Sequence, residues 1–166
     1  MQPDLLDNIV IRNIEAKDDA ALAIVIRTAL AEFGANKPGT VFYDETTDHL
    51  SEVFQQEGSV YFVAERAGEV VGGGGIFPSP GLEHGTCELV KMYLRSDARG
   101  FGLGRKLIEK SLSWAKEAGY DFVYLETMPE LKQALKTYER FGFEYINAPM
   151  GNTGHYGCDR WMLKKL

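Results

Sequence analysis

Leu94-Arg95-Ser96-Asp97-Ala98-Arg99-Gly100-Phe101-Gly102-Leu103-Gly104-Arg105-Lys106 decides how this chain is read. An apolar strand end leads into three glycines at alternate positions, and the glycines lead directly into a helical pattern. Without side chains, Gly100, Gly102 and Gly104 let a ligand approach the backbone. The first turn of the helix then presents N–H groups that lack intrahelical partners, at the positive end of the helix dipole. Arg99 and Arg105 add positive charge on either side. Glycines alone fit a turn used for close packing equally well; the arginines and the helix start favour an anionic phosphate. Two phosphate motifs fail on spacing. A dinucleotide fold needs G-x-G-x-x-G, but Gly100 and Gly102 are followed by Arg105, and Gly102 and Gly104 by Leu107. A P-loop needs G-K-[ST], but Gly104 is followed by Arg105-Lys106-Leu107, with no hydroxyl to hold magnesium.

Working outward, Thr86 to Leu94 reads as the strand before this loop, and a long helix follows it to Ala118, with Gly119 as its C-cap. Upstream, Ile9 to Ile14 alternates as a first strand. Asp18 or Asp19 is placed to cap a helix over Ala20 to Phe33, whose Leu22, Val25, Ile26, Ala29, Leu30 and Phe33 fall at helical spacing. A second helix is expected over Thr46 to Gln56. Ser59 to Phe77 forms a hairpin that turns at Ala67-Gly68, and its second arm contains Gly72-Gly73-Gly74-Gly75. That run admits two readings, tight packing of a helix or room for the acceptor beside the cleft. Downstream come a strand at Asp121 to Glu126, a helix at Pro129 to Phe141, and strands at Phe143 to Ile146 and Asp159 to Lys164. The order β-α-α-β-β-β-α-β-α-β-β predicts an α/β fold: a mixed, mostly antiparallel sheet with helices on both faces. No repeat or linker divides residues 1–166, so one domain is expected.

Composition narrows the function. A chain of 166 residues at 45% hydrophobic and 25% charged is long enough to bury a core without staples. Its net charge of −6 leaves no broad basic stripe for nucleic acid and leans weakly toward cationic partners. Cys87 and Cys158 show no metal spacing, and reduced thiols are expected over a disulfide. Met1 to Asn8 is acidic and lacks the basic start and apolar core of a signal peptide. No apolar run approaches the ~20 residues of a membrane span. A cytoplasmic protein without a membrane partner is the default expectation.

Arg99, Gly102 and Gly104 satisfy R/Q-x-x-G-x-G/A, five residues past the strand end at Leu94. This resembles the coenzyme A signature of the GNAT superfamily of N-acetyltransferases. Downstream, Ala134-Leu135-Lys136-Thr137-Tyr138-Glu139-Arg140-Phe141-Gly142-Phe143 resembles that family's A-x-x-x-Y-E-x-x-G-F stretch. Both motifs stand in family order on matching elements, and the resemblance covers nearly the whole chain. It implies a GNAT-like fold and transfer of an acetyl group from acetyl-CoA, acting as cosubstrate, to a small-molecule or peptide amine. No metal is implied, and the protein would be a monomer or homodimer.

The same resemblance implies roles. The strand before the loop would splay from its neighbour, with backbone groups of Met92, Tyr93 and Leu94 holding pantetheine and the acetyl carbonyl. N–H groups of Arg99, Gly100, Phe101, Gly102, Leu103, Gly104 and Arg105 would hold the pyrophosphate. A backbone N–H near Tyr93 or Leu94 would stabilise the oxyanion. Tyr138 would protonate the departing thiolate, although Leu131, Ala134, Leu135 and Tyr138 also share a helical face that reads as core. Glu88 would serve as base, through water; strand alternation puts it on one face with Val90 and Met92, and a salt-bridged strand carboxylate is an equal reading. Two positions depart from the family pattern: Leu131 stands where many relatives have an asparagine that touches pantetheine, and Thr137 where many have leucine. His84 and His155, each alone in a glycine-containing loop, read as solvated surface residues rather than bases. Cys87 has no adjacent histidine to make it a nucleophile, so direct transfer in a ternary complex is expected. The acceptor would be lined by Phe33 to Tyr43 and Met150 to Tyr156. Other acyl groups, a hydroxyl acceptor and a non-catalytic acyl-CoA-binding module remain alternatives on the same fold.

Overall fold

The computed structural model describes residues 8–166. The expectation that the N-terminus is no signal peptide rests on Met1 to Asp7, which lie outside the described residues. Seven strands form one sheet in the order β1-β2-β3-β4-β5-β7-β6. They are β1 (Ile9–Asn13), β2 (Val60–Arg66), β3 (Glu69–Phe77), β4 (Thr86–Leu94), β5 (Phe122–Thr127), β6 (Glu144–Ile146) and β7 (Arg160–Lys165). Only β4 and β5 pair in parallel; every other neighbouring pair is antiparallel. The helices are α1 (Asp19–Glu32), α2 (Leu50–Val53), α3 (Leu103–Glu117) and α4 (Lys132–Arg140). Among the described residues no helix is long and apolar enough to cross a membrane.

Two apolar clusters sandwich the sheet, and β2 shows why. Its run Val60-Tyr61-Phe62-Val63-Ala64 is apolar at every position and buried throughout, the pattern of a strand covered on both faces. Val60, Phe62 and Ala64 join Leu103, Leu107, Ile108, Leu112 and Ala115 of α3 and Tyr138 of α4 on one face. Tyr61 and Val63 join Leu22, Ile26 and Leu30 of α1 with Val41, Leu50 and Phe54 on the other. Cys87 lies in the first cluster and Cys158 in the second. The sheet separates them, and both thiols are free and buried.

Several local expectations are corrected. Neither Asp18 nor Asp19 caps α1 through its side chain. Arg12 and the Glu15 N–H bind Asp18, and Asp19 instead accepts from the Ser51 N–H at 2.8 Å. The expected helix over Thr46 to Gln56 is broken into a 3-10 turn at Glu45–Asp48 and the single turn of α2. Side chains compete for its backbone: Asp44 accepts from the Thr46 N–H at 2.9 Å, and Asp19 holds Ser51. At the end of α3 the C-cap is Ala118, and Gly119 is the left-handed residue beyond it, at φ +95°. The Tyr120 N–H bonds Ala115 and the Gly119 N–H bonds Lys116, a closure that satisfies two orphan carbonyls.

Candidate active site

The parallel pairing of β4 with β5 covers only Thr86↔Phe122, Cys87↔Val123 and Glu88↔Tyr124. Beyond Glu88 the strands part. β5 continues against β7, so among the described residues the β4 edge from Leu89 to Leu94 has no strand partner on that side. On its other side β4 carries a bulge: Gly73 faces Tyr93 and Gly75 faces Val90, so Gly74 alone stands opposite Lys91 and Met92. Lys91 sits at the bulge with φ +51°, a left-handed conformation that costs a side-chain-bearing residue about 1–2 kcal/mol. The bulge corrects the expected alternation. Glu88 and Val90 point to the α1 side, but Met92 packs on the α3 side with Leu89, because the extra residue reverses the face of everything after it.

Gly72 to Gly75 leave no vacant space. A Cβ on Gly73 would fall 2.6 Å from the Tyr61 ring and one on Gly75 at 2.8 Å, while one on Gly74 would strike Met92 Sδ at 2.5 Å. The glycines let Tyr61 lie flat across β3 and donate its hydroxyl to the Lys91 carbonyl at 2.8 Å, which pins the bulge. The reading of the run as room for substrate is therefore replaced by close packing, against strand side chains rather than a helix.

Where the strands part, polar groups gather on the α1 side. Glu88, Lys91, Glu126, Thr127 and His155 line a small cavity together with Val41 and Cys158. Glu88 is 3% exposed and accepts a hydrogen bond from Ser79 Oγ. Burial pushes its carboxyl up to about 7, against the opposing bond from Ser79. His155 Nε2 lies 2.8 Å from Asp44 Oδ2, and Nδ1 lies 3.6 Å from Glu126 Oε1. Burial pulls the imidazole down, but the hydrogen bond to Asp44 and the nearby Glu126 carboxylate outweigh it and hold its pKa at about 9. The bond to His155 in turn holds Asp44 well below the usual carboxylate range. Burial raises Glu126, yet the nearby His155 imidazole and bonds from Thr153 and the Tyr124 hydroxyl, the last at 2.7 Å, bring it below its ordinary value. Burial depresses Lys91.

His155 is thus no solvated surface residue; its side chain is 12% exposed and clamped between two carboxylates. His84 is exposed, as expected. Glu88, Glu126 and His155 could each offer one ligand atom to a metal, the three atoms lying within 4.8 Å of one another. Both imidazole nitrogens, however, are already directed at carboxylates, and the Lys91 ammonium shares the cavity.

At the far end of β4, α3 begins at Leu103 behind a left-handed Gly102, φ +80°, with no side-chain cap. The first regular bond at that end is Lys106 N–H to the Gly102 carbonyl at 3.1 Å, which leaves the N–H groups of Leu103, Gly104 and Arg105 without intrahelical partners. A Cβ on Gly100 or Gly102 would meet nothing within 4 Å. Arg99 is occupied structurally: its Nη2 donates to the Leu94 carbonyl at 2.9 Å and to Glu32 at 2.9 Å. The guanidinium also stacks 4.8 Å from the Phe33 ring centre. Arg105 is exposed and pairs with Glu109.

Tyr138 projects from α4 into the α3-side cluster, edge to face with Phe143 at 5.8 Å. Burial pushes its phenol up to about 12, so the proton stays on at neutral pH. Its ring is core, as periodicity indicates, while its hydroxyl makes no hydrogen bond among the described residues. Leu131 precedes α4 and packs in the opposite cluster, so it does not share the face of Tyr138. Cys87 is buried, and burial pushes its thiol up to about 12, away from the thiolate form.

Sequence reasoning missed Asp44, Ser79, Lys91, Tyr124, Glu126 and Thr127. A signal existed for two of them: Tyr124 and Glu126 alternate as polar residues on one face of an otherwise apolar strand. The two segments expected around the acceptor do meet. They adjoin at Gly39 and Tyr156, where a Cβ on Gly39 would fall 2.5 Å from the Tyr156 ring; just past their ends the Gly157 N–H bonds the Gly39 carbonyl at 2.8 Å, and His155 reaches Asp44.

Comparison with known proteins gives a consistent result. Residues 26–143 match the model of the Acetyltransferase (GNAT) family. The chain is 45% identical over 159 residues to the uncharacterized N-acetyltransferase YjgM of Escherichia coli K12, covering 95% of each. A GNAT-family acetyltransferase from Staphylococcus aureus Mu50 superposes with a TM-score of 0.83 at 20% identity, over 95% of this chain and 99% of that one. An acetyltransferase from Salmonella typhimurium, solved with its cofactor acetyl-CoA, superposes with a TM-score of 0.73 at 21% identity, over 96% and 95%.

Proposed function

The chain belongs to the GNAT family of acetyltransferases, and on that premise we propose that it transfers the acetyl group to a primary amine by direct attack in a ternary complex. As a member it is an acetyl-CoA-dependent N-acetyltransferase; the acceptor and the residue roles are the content of the proposal. The observation that carries it is the end of β4–β5 pairing at Glu88↔Tyr124. A free strand edge is left there, with a buried base candidate at one end and an open helix N-terminus at the other.

In this reading the pyrophosphate of CoA rests on the N–H groups between Arg99 and Arg105, and pantetheine lies along the backbone of Met92, Tyr93 and Leu94. The Leu94 carbonyl is already taken by Arg99, so at Leu94 the N–H is the group left to offer. Glu88, with a pKa of about 7, accepts a proton from the acceptor ammonium, directly or through water, and frees the amine lone pair. General bases work best with a pKa near the operating pH. The amine nitrogen bonds to the thioester carbon, a backbone N–H near Tyr93 or Leu94 stabilises the oxyanion, and the C–S bond breaks as the oxyanion collapses. Tyr138, still protonated at neutral pH, gives a proton to the CoA thiolate; the second proton that the nitrogen sheds as the amide forms restores the phenol through water, so the one proton released overall is the one taken by Glu88.

A panel of amines, amino acids, polyamines and N-terminal peptides incubated with acetyl-CoA, read as released thiol, tests the proposal. Acceptor-dependent thiol release with at least one class is expected. CoA binding with no release above hydrolysis for any class would leave an acyl-CoA-binding module instead.

A further inference from the structure

Glu88 lines the cavity, and among the described residues its carboxyl takes one hydrogen bond, at Oε1, from the hydroxyl of Ser79. Ser79 lies outside β4, in the turn Pro78-Ser79-Pro80-Gly81 that follows β3. A proline on either side narrows the backbone there. Ring closure fixes φ of Pro78 and Pro80, and Pro80 confines Ser79 to extended conformations. The turn is also fastened to the loop that carries His155. The Asn152 N–H bonds the Pro80 carbonyl at 2.7 Å, and a Cβ on Gly81 would fall 3.1 Å from the Gly151 Cα. Ser79 is buried, and its hydroxyl proton has no other acceptor among the described residues.

The charged groups around Glu88 are largely engaged with one another. Burial is the main influence against its carboxylate form, and Glu126 on β5 adds to it; the Ser79 bond is the main influence in favour, helped by His155 from the 150–158 loop and by Lys91 on β4 itself. Both cations are shared, however. His155 lies between Asp44 and Glu126, and Lys91 meets Asp44 at 3.8 Å. The remaining titratable neighbours, Cys87, Tyr124 and Cys158, are raised by burial and keep their protons. A hydrogen bond to a carboxylate is roughly twice as strong as one to a neutral acid, so a donor with nowhere else to give its proton favours the ionised state. We propose that Ser79 is a positioning residue of the reaction: its hydroxyl holds Glu88 by Oε1 and keeps it unprotonated, so that Oε2 is the oxygen left to take the acceptor's proton. This rests on the reading of Glu88 as base and names the group that keeps that base ready.

Ser79→Ala removes the donor and leaves Glu88 in place. Infrared difference spectroscopy of the carboxyl band follows the titration of Glu88 in the protein without acceptor, with Glu88→Gln identifying the band. In Ser79→Ala the Glu88 midpoint should move up by about 0.5–1 pH unit. Activity is read as kcat/KM with acetyl-CoA and the amine of the acceptor panel that is turned over fastest. The loss in Ser79→Ala should be about threefold to tenfold greater at pH 6 than at pH 9, because a higher midpoint removes carboxylate on the acid side only. Ser79→Gly should repeat both results, and Ser79→Thr, which keeps a hydroxyl, should return them toward wild type. A midpoint that does not move overturns the proposal. So does a uniform loss of activity at both pH values, which is what a merely structural serine would give. Failure of the base reading is seen separately, because Glu88→Gln would then keep the wild-type acid limb.

Discussion

Gly102 offers the sharpest test of the phosphate site, because its replacement should damage binding far more than folding. It holds φ +80°, and a Cβ there meets nothing within 4 Å. Gly102→Leu therefore creates no clash; it costs the left-handed strain of an L-residue, about 1–2 kcal/mol. For a chain of this size each kcal/mol moves the melting temperature by about 2–4 °C, so the ligand-free variant should melt about 2–8 °C lower and remain folded. Binding is a different matter. A side chain standing before the first turn of α3 denies the phosphate at least two N–H groups, each hydrogen bond to a charge being worth about 1.5–3 kcal/mol. The loss exceeds a hundredfold in affinity. At a CoA concentration of 100 Kd, wild type gains about 2.7 kcal/mol, a rise of about 5–11 °C. At the same concentration a hundredfold weaker variant gains about 0.4 kcal/mol, a rise of 1–2 °C by the same scale. Gly104→Ala is the control: its Cβ meets Leu94 Cδ1 at an ordinary 3.4 Å, and its CoA-induced rise should match wild type. Melting by scanning fluorimetry with and without CoA reads all three proteins. A folded Gly102→Leu with the full wild-type rise would refute the placement of the pyrophosphate on this loop.

Three further outcomes are expected. Tyr138→Phe keeps the ring packed on Phe143 and removes only the hydroxyl, so kcat should fall by about 10²-fold, the low end for acid catalysis, with melting and CoA affinity unchanged; a wild-type kcat where chemistry limits the rate would make Tyr138 a core residue only. Glu88 must be unprotonated to accept a proton and titrates at about 7, so wild-type kcat/KM should rise as pH passes through 7. Glu88→Gln should lose that limb while binding CoA normally, and an identical pH profile would make Glu88 structural. His155 is raised from 6.5 to about 9 in the folded protein, so its stabilising contribution is full below 6.5 and is lost as pH rises through 9, by at most about 3 kcal/mol. Urea unfolding at pH 6 and pH 9.5 should show that loss in wild type and a clearly smaller one in His155→Gln; equal losses would place the pH dependence elsewhere.

The chain itself carried the architecture, because what it encodes there is local. Strand β4 from Thr86 to Leu94, the hairpin turning at Ala67-Gly68, and the buried face of α3 each follow from a period or a turn residue within about fifteen positions. The glycine loop before α3 was legible for the same reason: glycines, helix start and flanking arginines are contiguous. The acceptor end was not. Glu88 already read as either a base or a salt-bridged carboxylate, but Asp44, Ser79, Glu126 and His155 come from four other segments, and each alone reads as an ordinary surface or strand residue until folding buries them together. Burial is also what lifts Glu88 to about 7 and lowers Lys91, and no spacing rule reports the surroundings that do this. The bulge at Lys91 was hidden as well. Alternation assigns Met92 to the face of Glu88, and only the packing of Tyr61 across Gly73 and Gly75, with its hydroxyl on the Lys91 carbonyl, turns it to the other side. Sequence thus determined strand β4 and the glycine loop at its end; tertiary contacts decided which side chains face the cavity, because that choice depends on atoms distant in the chain, thirty residues apart for Tyr61 and Lys91.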